Sequence, residues 1–142
     1  MERLLQDEPK IRNENVRILH LEDTGADREL VRLLLKDAGI HGEITAIKTQ
    51  ADFENCLKEE DWDLILTDFT LPAFNGFEAL AIASIACPHT PVIFVTGTLG
   101  EESAVESMKS GATDYVLKQR LDRLGMAVKR ALRERDWGAG QL

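Results

Sequence analysis

Five polar residues have the types and placement to do chemistry together: the adjacent acids Glu22 and Asp23, the carboxylate Asp68, the hydroxyl of Thr96 and the ammonium of Lys118. Each stands at the end of a short apolar run. Val16-Arg17-Ile18-Leu19-His20-Leu21 precedes the acid pair, and Leu64-Ile65-Leu66 precedes Thr67 and Asp68. Val92-Ile93-Phe94-Val95 precedes Thr96, and Asp114-Tyr115-Val116-Leu117 precedes Lys118. A carboxylate at the tip of a buried run must be solvated, paired or bound to a cation. If the runs are parallel strands of one open sheet, their carboxyl ends share one edge, where such sheets bind ligands. Three acids, a hydroxyl and an ammonium then converge. Like charges at ~4 Å repel by about 4 kcal/mol at an effective dielectric of about 20. A hard, oxygen-preferring divalent cation relieves that repulsion, and Mg2+ suits a site with few protein carboxylates. Lys118 is left to meet a negative group. A carboxylate nucleophile, a metal, a cation and a hydroxyl donor are the equipment of phosphoryl transfer.

Each residue also has an ordinary reading: Glu22, Asp23 or Thr24 as a helix cap, Asp68 as a turn cap, Thr96 as a strand-end residue, Lys118 as a solvated charge. The joint pattern, at four successive strand ends, outweighs them.

The elements that must position these residues alternate. Helix signals lie between the runs. Leu30, Val31, Leu33, Leu34, Leu35 and Ala38 give a broad apolar face closed by Gly39, and Ala51, Phe53, Cys56 and Leu57 follow a second strand at Glu43–Ile47. Phe77, Leu80, Ala81, Ile82 and Ile85 follow Asn75-Gly76; Ala104, Val105 and Met108 precede Gly111; and Leu121, Leu124, Val128, Ala131 and Leu132 mark the last helix. A fivefold strand–helix alternation predicts an α/β fold, a parallel sheet with helices on both faces and right-handed crossovers. Residues 1–15 read as a flexible arm, 16–135 as the domain, and 136–142 as a flexible tail or the start of a linker.

Composition sets the remaining bounds. At 142 residues, 44% hydrophobic and 30% charged, the chain suits one ordinary globular domain. No run approaches a membrane span and the N-terminus lacks a signal-peptide core, so a cytoplasmic location with no membrane contact is expected. A net charge of −8 argues against direct nucleic-acid binding. Residues 118–135 nevertheless carry seven basic side chains against two acidic ones, read as a solvated helix face before a docking face. Cys56 and Cys87 show no metal or redox spacing and read as thiols.

Leu21-Glu22-Asp23, Leu66-Thr67-Asp68-Phe69-Thr70-Leu71-Pro72 with Asn75-Gly76-Phe77, Val92-Ile93-Phe94-Val95-Thr96-Gly97, and Gly111-Ala112-Thr113-Asp114-Tyr115-Val116-Leu117-Lys118 together resemble a response-regulator receiver domain of two-component signalling. The resemblance covers Val16 to Arg135. It implies a doubly wound, flavodoxin-like (CheY-like) five-stranded parallel sheet of order 2-1-3-4-5. It also implies that Asp68 accepts a phosphoryl group from a sensor histidine kinase or phosphotransfer protein. Asp23, Asp68 and the backbone carbonyl of Thr70 would hold Mg2+, with Glu22 in the outer shell. Lys118 would pair with phosphoryl oxygens, Thr96 would move to hydrogen-bond them, and Tyr115 would be the switch aromatic. A face built from the fourth helix, fifth strand and fifth helix would signal to a downstream output protein or domain, and receivers often form homodimers through it. No enzymatic turnover is implied beyond self-phosphorylation and self-dephosphorylation.

The chain departs from the family at Gln119, where a cis proline is usual and a cis bond would cost about 2.5–4 kcal/mol. Gly97 opens access to the phosphoryl group, and Thr70 and Thr98 stand where its lifetime is tuned. The stretches after Thr96 and Tyr115 also resemble receivers attached to sensor histidine kinases or other signalling enzymes. The rivals are a receiver-like interaction module without phosphorylation, an aspartyl-phosphate phosphatase, which lacks its second acid because Thr70 stands two residues after Asp68, and a nucleotide or flavin binder, which lacks the glycine-rich loop.

Overall fold

The computed structural model describes residues 16–97 and 101–141. The expected N-terminal arm, residues 1–15, and Thr98 lie outside the described residues. Five parallel strands run in the order 2-1-3-4-5: β1 Val16–Leu21, β2 Gly42–Ile47, β3 Leu64–Thr67, β4 Val92–Thr96 and β5 Asp114–Leu117. Between them lie α1 Gly25–Asp37, α2 Gln50–Glu59, α3 Gly76–Ala86 and α4 Glu101–Lys109. A 3-10 segment, Lys118–Arg123, leads into α5 Leu124–Gln141, which continues as a helix across the segment read from sequence as a tail or linker. The order fits the sequence. β1, β3 and β4 are apolar nearly throughout, as strands covered on both faces must be, whereas the mixed Gly42-Glu43-Ile44-Thr45-Ala46-Ile47 lies at an edge, paired only to β1.

Strand alternation divides the core in two. Val16, Ile18, Leu64, Leu66, Ile93, Val95 and Val116 face α1 and α5, where Val31, Leu35, Leu124, Val128 and Leu132 close the layer. Leu19, Leu21, Ile65, Val92 and Phe94 face the other way, onto Phe53 of α2 and Ala79, Leu80 and Ala83 of α3. The crossovers are tied at their ends. Thr49 caps α2 through the Asp52 amide, and Asn75 and Glu78 form a reciprocal capping box at α3, both bonds 2.9 Å.

Several helix faces are rotated from those the sequence suggests. Val31 and Leu35 face inward on α1, but Leu30 and Leu33 are each 43% exposed. Ala79 and Ala83, not Ala81 and Ile85, line the buried side of α3, and Ile85 is 86% exposed. On α4 the inward residues are Ala104 and Ser107, whose hydroxyl donates to the Ser103 carbonyl, leaving Val105 and Met108 toward solvent. Small residues let these helices approach the sheet closely, so bulk points outward. The basic run after β5 is less of a free face than its count implies. Lys118, Arg120, Arg130 and Arg135 are all paired with acids of the chain, Arg135 to Asp63 at 2.6 Å. Among the described residues no helix is long and apolar enough to cross a membrane.

Candidate functional site

Asp68 sits one residue past β3, and alternation turns its side chain to the same side of the sheet as Leu64 and Leu66, toward α1. Its amide donates to the Leu21 carbonyl at 3.0 Å, locking the end of β3 to the end of β1. Its Oδ1 accepts from the Phe69 amide at 2.7 Å and the Thr70 amide at 3.4 Å. Its Oδ2 lies 3.1 Å from Lys118 Nζ. One oxygen is thus anchored by backbone and the other faces a cation.

The loop that aims Asp68 is rigid. Thr70 and Asn75 form an antiparallel bridge, and the Gly76 amide donates to the Phe69 carbonyl at 2.7 Å. Phe69, Phe77 and Phe94 meet edge to face behind the carboxylate, with centroids 5.0–6.3 Å apart. Gly76 makes this possible: a Cβ there would fall 2.5 Å from the Phe94 ring and 3.2 Å from the Asp68 carbonyl.

Glu22 and Asp23 follow β1. Glu22 is buried (1% exposed); its Oε2 accepts from the Thr24 amide at 3.1 Å and its Oε1 lies 2.9 Å from Lys118 Nζ. Burial pushes the Glu22 carboxyl above the usual range, opposed by Lys118 and the Thr24 amide. Asp23 is exposed. Glu22, Asp23 and Asp68 each offer an oxygen within 4.8 Å of the others, a spacing that suits a bound cation. Among the described residues Glu22 Oε1 is met by Lys118 Nζ alone, so this buried oxygen has unused accepting capacity.

Lys118 reaches in from the end of β5, its side chain 21% exposed. Burial works against its charge, but bonds to Asp27, Glu22 and Asp68 prevail and hold its pKa well above the ordinary lysine value. No described peptide bond is cis, so Lys118–Gln119 is trans where the family usually has a cis proline, and Gln119 Nε2 sits 3.5 Å from the Gly97 carbonyl. Thr96 ends β4 and is fully buried. It and the half-buried Tyr115 share the sheet face opposite Asp68; Thr96 is paired to Leu117 and Tyr115 to Phe94, two register positions apart. Thr70 and Gly97 are exposed at the mouth of the site.

Among the described residues, Glu22, Asp23, Asp68 and Lys118 gather in one cluster at the carboxyl edge of the sheet; Thr96 ends β4 on the sheet's other face, and Tyr115 lies on that face earlier along β5, beside Phe94. Two further members were not read from sequence. Asp27 Oδ2 is 2.7 Å from Lys118 Nζ, closer than either other acid. It lies about one helical turn beyond Asp23 in the first turn of α1, a spacing that by itself does not pair it with Lys118. His20, on β1, is 1% exposed with both ring nitrogens unpartnered, and burial, then Lys118 and Arg28, lower its pKa to about 4. A polar residue inside an apolar strand was its only signal.

Comparison with known proteins agrees with this geometry. The family model of the response regulator receiver domain matches residues 18–129. Regulatory protein LuxO of Vibrio vulnificus (strain YJ016) is 35% identical over 115 residues, which are 80% of this chain and 25% of that protein, so the chain spans about a quarter of that relative. The receiver domain of a LuxO repressor protein from Vibrio parahaemolyticus superposes with a TM-score of 0.80 at 25% identity, covering 88% of this chain and 95% of that one. A CheY-like receiver domain protein from Methanospirillum hungatei JF-1 gives 0.74 at 28% identity, covering 88% and 99%. With the 2-1-3-4-5 sheet and the acid cluster opposite Lys118, these matches establish that the chain belongs to the response regulator receiver domain family of two-component signalling.

Proposed function

We propose that the chain is a phosphoacceptor switch in which Asp68 takes a phosphoryl group from the phosphohistidine of a sensor histidine kinase or phosphotransfer protein. The observation that carries this reading is the Asp68 carboxylate itself: one oxygen is tied to two backbone amides, the other lies 3.1 Å from Lys118, and two more acids stand beside it. In the transfer, the carboxylate oxygen forms a bond to phosphorus as the P–N bond to the donor imidazole breaks. The electron pair leaves with that imidazole, which takes up a proton.

Mg2+, held by Asp23, Asp68 and the Thr70 carbonyl with Glu22 in support, would neutralise charge on the phosphoryl oxygens and offset the repulsion among the acids. Lys118 supplies the positive charge opposite. The amides of Phe69 and Thr70 fix the carboxylate plane before the donor arrives, and exposed Gly97 leaves the approach open. A Cβ on Gly97 would meet only the Lys118 stem, at 3.8 Å.

Phosphorylation adds about −1.5 to −2 charges and three acceptors. A phosphoryl oxygen is available to the Thr96 hydroxyl only in that state, so an exchange of its hydrogen bond biases a pre-existing two-state equilibrium. Thr96 and Tyr115 lie on one sheet face, which gives the movement of one a route to the other. The face of α4, β5 and α5 carries the signal to an output protein or domain; Val105 and Met108 stand exposed on it, 50% and 43%. The switch modifies and demodifies only itself.

The test is incubation with Mg2+ and acetyl phosphate followed by intact mass. One phosphoryl gain, labile to hydroxylamine and absent from Asp68→Asn, supports the reading. No adduct from acetyl phosphate or from a phosphohistidine donor favours an interaction module, and sustained release of phosphate from a phosphomonoester favours a phosphatase.

A further inference from the structure

A lysine ammonium has three N–H donors, and three carboxylates surround Lys118: Asp27 at 2.7 Å, Glu22 at 2.9 Å and Asp68 at 3.1 Å. The nearest of them, Asp27, is the one that does not belong to the acid cluster suited to a cation. It stands in the first turn of α1, at the helix's positive end, and its contact closes a separation of 91 residues.

The ordinary reading is a helix-end acid in a surface ion pair, worth less than about 1 kcal/mol. Three observations favour more. The Lys118 side chain is only 21% exposed. Its four-carbon stem carries about 2 kcal/mol of rotamer entropy, so without an anchor the ammonium wanders. The backbone beyond it constrains Nζ little, because Lys118 opens a 3-10 segment broken at Arg120 (φ −129°, ψ 47°), its bond to Gln119 is trans, and the Gln119 side chain reaches across only at 3.5 Å.

We propose that Asp27 is a positioning residue: from the first turn of α1 it fixes the Lys118 ammonium beside Asp68 throughout the phosphorylation cycle. This rests on the reading of Asp68 as phosphoacceptor. When Asp68 is modified, a phosphoryl oxygen replaces the Asp68 carboxylate as acceptor for one N–H, and Glu22 belongs to the acid cluster suited to a cation. Asp27 has no competing duty and keeps its N–H. Three donors suffice for both, so the anchor does not oppose the phosphoryl group.

The test compares wild type, Asp27→Ala and Asp27→Asn. The readouts are the rate of mass gain at limiting acetyl phosphate with Mg2+, the affinity for beryllofluoride, and the rate at which a small acylating reagent labels Lys118 in metal-free protein, mapped by peptide mass. Asp27→Ala is expected to slow phosphorylation about tenfold or more, to weaken beryllofluoride binding, and to label faster at Lys118. Asp27→Asn, whose amide oxygen still accepts from Nζ, recovers most of the rate. Far-UV circular dichroism identifies a variant that has lost its fold, and the asparagine variant decides if alanine fails there. Unchanged labelling and rate in Asp27→Ala overturn the proposal. Faster phosphorylation of both variants also overturns it, because Asp27 then opposes the phosphoryl group. If wild type takes up no phosphoryl group, the phosphoacceptor reading fails on its own, and the labelling of Lys118 decides whether Asp27 anchors it.

Discussion

His20 makes a quantitative prediction about stability. It lies on β1 between Ala46 and Leu66 in register, on the face that packs against α1 and α5, and both ring nitrogens lack partners. The charged groups that face it are Arg28 and Asp27 from α1, Lys118 after β5 and Asp68 after β3; burial dominates and its pKa falls from 6.5 to about 4. Above pH 6.5 the ring is neutral folded and unfolded, and its stability contribution is fully present. As pH falls from there toward 4, the unfolded chain takes up a proton that the folded chain refuses, and stability is lost. A lowering from 6.5 to about 4, at about 1.4 kcal/mol per unit, amounts to about 3 kcal/mol. His20→Leu removes that loss. Urea unfolding of both proteins in chelator, at steps from pH 7.5 to pH 4, should show wild type falling behind the variant by about 3 kcal/mol across this window. The raised carboxyl of Glu22 acts with the opposite sign, favouring the folded state as pH falls, but it is present in both proteins and largely cancels in the difference. Parallel curves would mean that burial does not depress the His20 pKa, and a wild type that gains on the variant as pH falls would mean that His20 is charged in the fold.

Other outcomes follow from single contacts. Gly76→Ala forces a methyl to 2.5 Å from the Phe94 ring, so it should cost about 1–3 kcal/mol in urea unfolding. Because the same methyl presses on the Asp68 carbonyl, acetyl phosphate should also label the variant more slowly. Asp23→Asn, at an exposed position, should change stability by less than about 0.5 kcal/mol. It should nevertheless raise the Mg2+ concentration for half-maximal phosphorylation about tenfold or more; an unchanged Mg2+ dependence would remove Asp23 from the metal set. Thr96→Ala should still be phosphorylated, while partner binding, read by calorimetry with and without beryllofluoride, no longer responds; an unchanged response would take Thr96 out of the switch.

The sheet was legible because a parallel strand covered on both faces writes itself as an apolar run, and because the residue after each run lies at a common edge. That places Asp23, Asp68, Thr96 and Lys118 without any knowledge of loops. Helix faces were less legible. In Leu30-Val31-Arg32-Leu33-Leu34-Leu35 the apolar arc is wider than the strip a helix buries, so sequence cannot say that Val31 and Leu35 win over Leu30 and Leu33. On α3 Ala79 and Ala83 join the expected Leu80 inside, and on α4 Ala104 and Ser107 face inward, because close packing admits small residues where a hydrophobicity pattern favours Ile85 or Met108. Asp27 was hidden for another reason. Its partner Lys118 is 91 residues away, and only the approach of the start of α1 to the 3-10 segment after β5 makes one site of them.

On the proposed function Asp68, and no other residue, carries the phosphoryl group. Borohydride reduces an aspartyl phosphate to homoserine, which peptide sequencing by mass spectrometry locates in the chain. After phosphorylation with Mg2+ by acetyl phosphate or a phosphohistidine donor, homoserine is expected at position 68, and is lost when Mg2+ is chelated before the donor is added. Homoserine at any other aspartate, the reduced alcohol at a glutamate, or a phosphoryl group that survives on Asp68→Asn would contradict it.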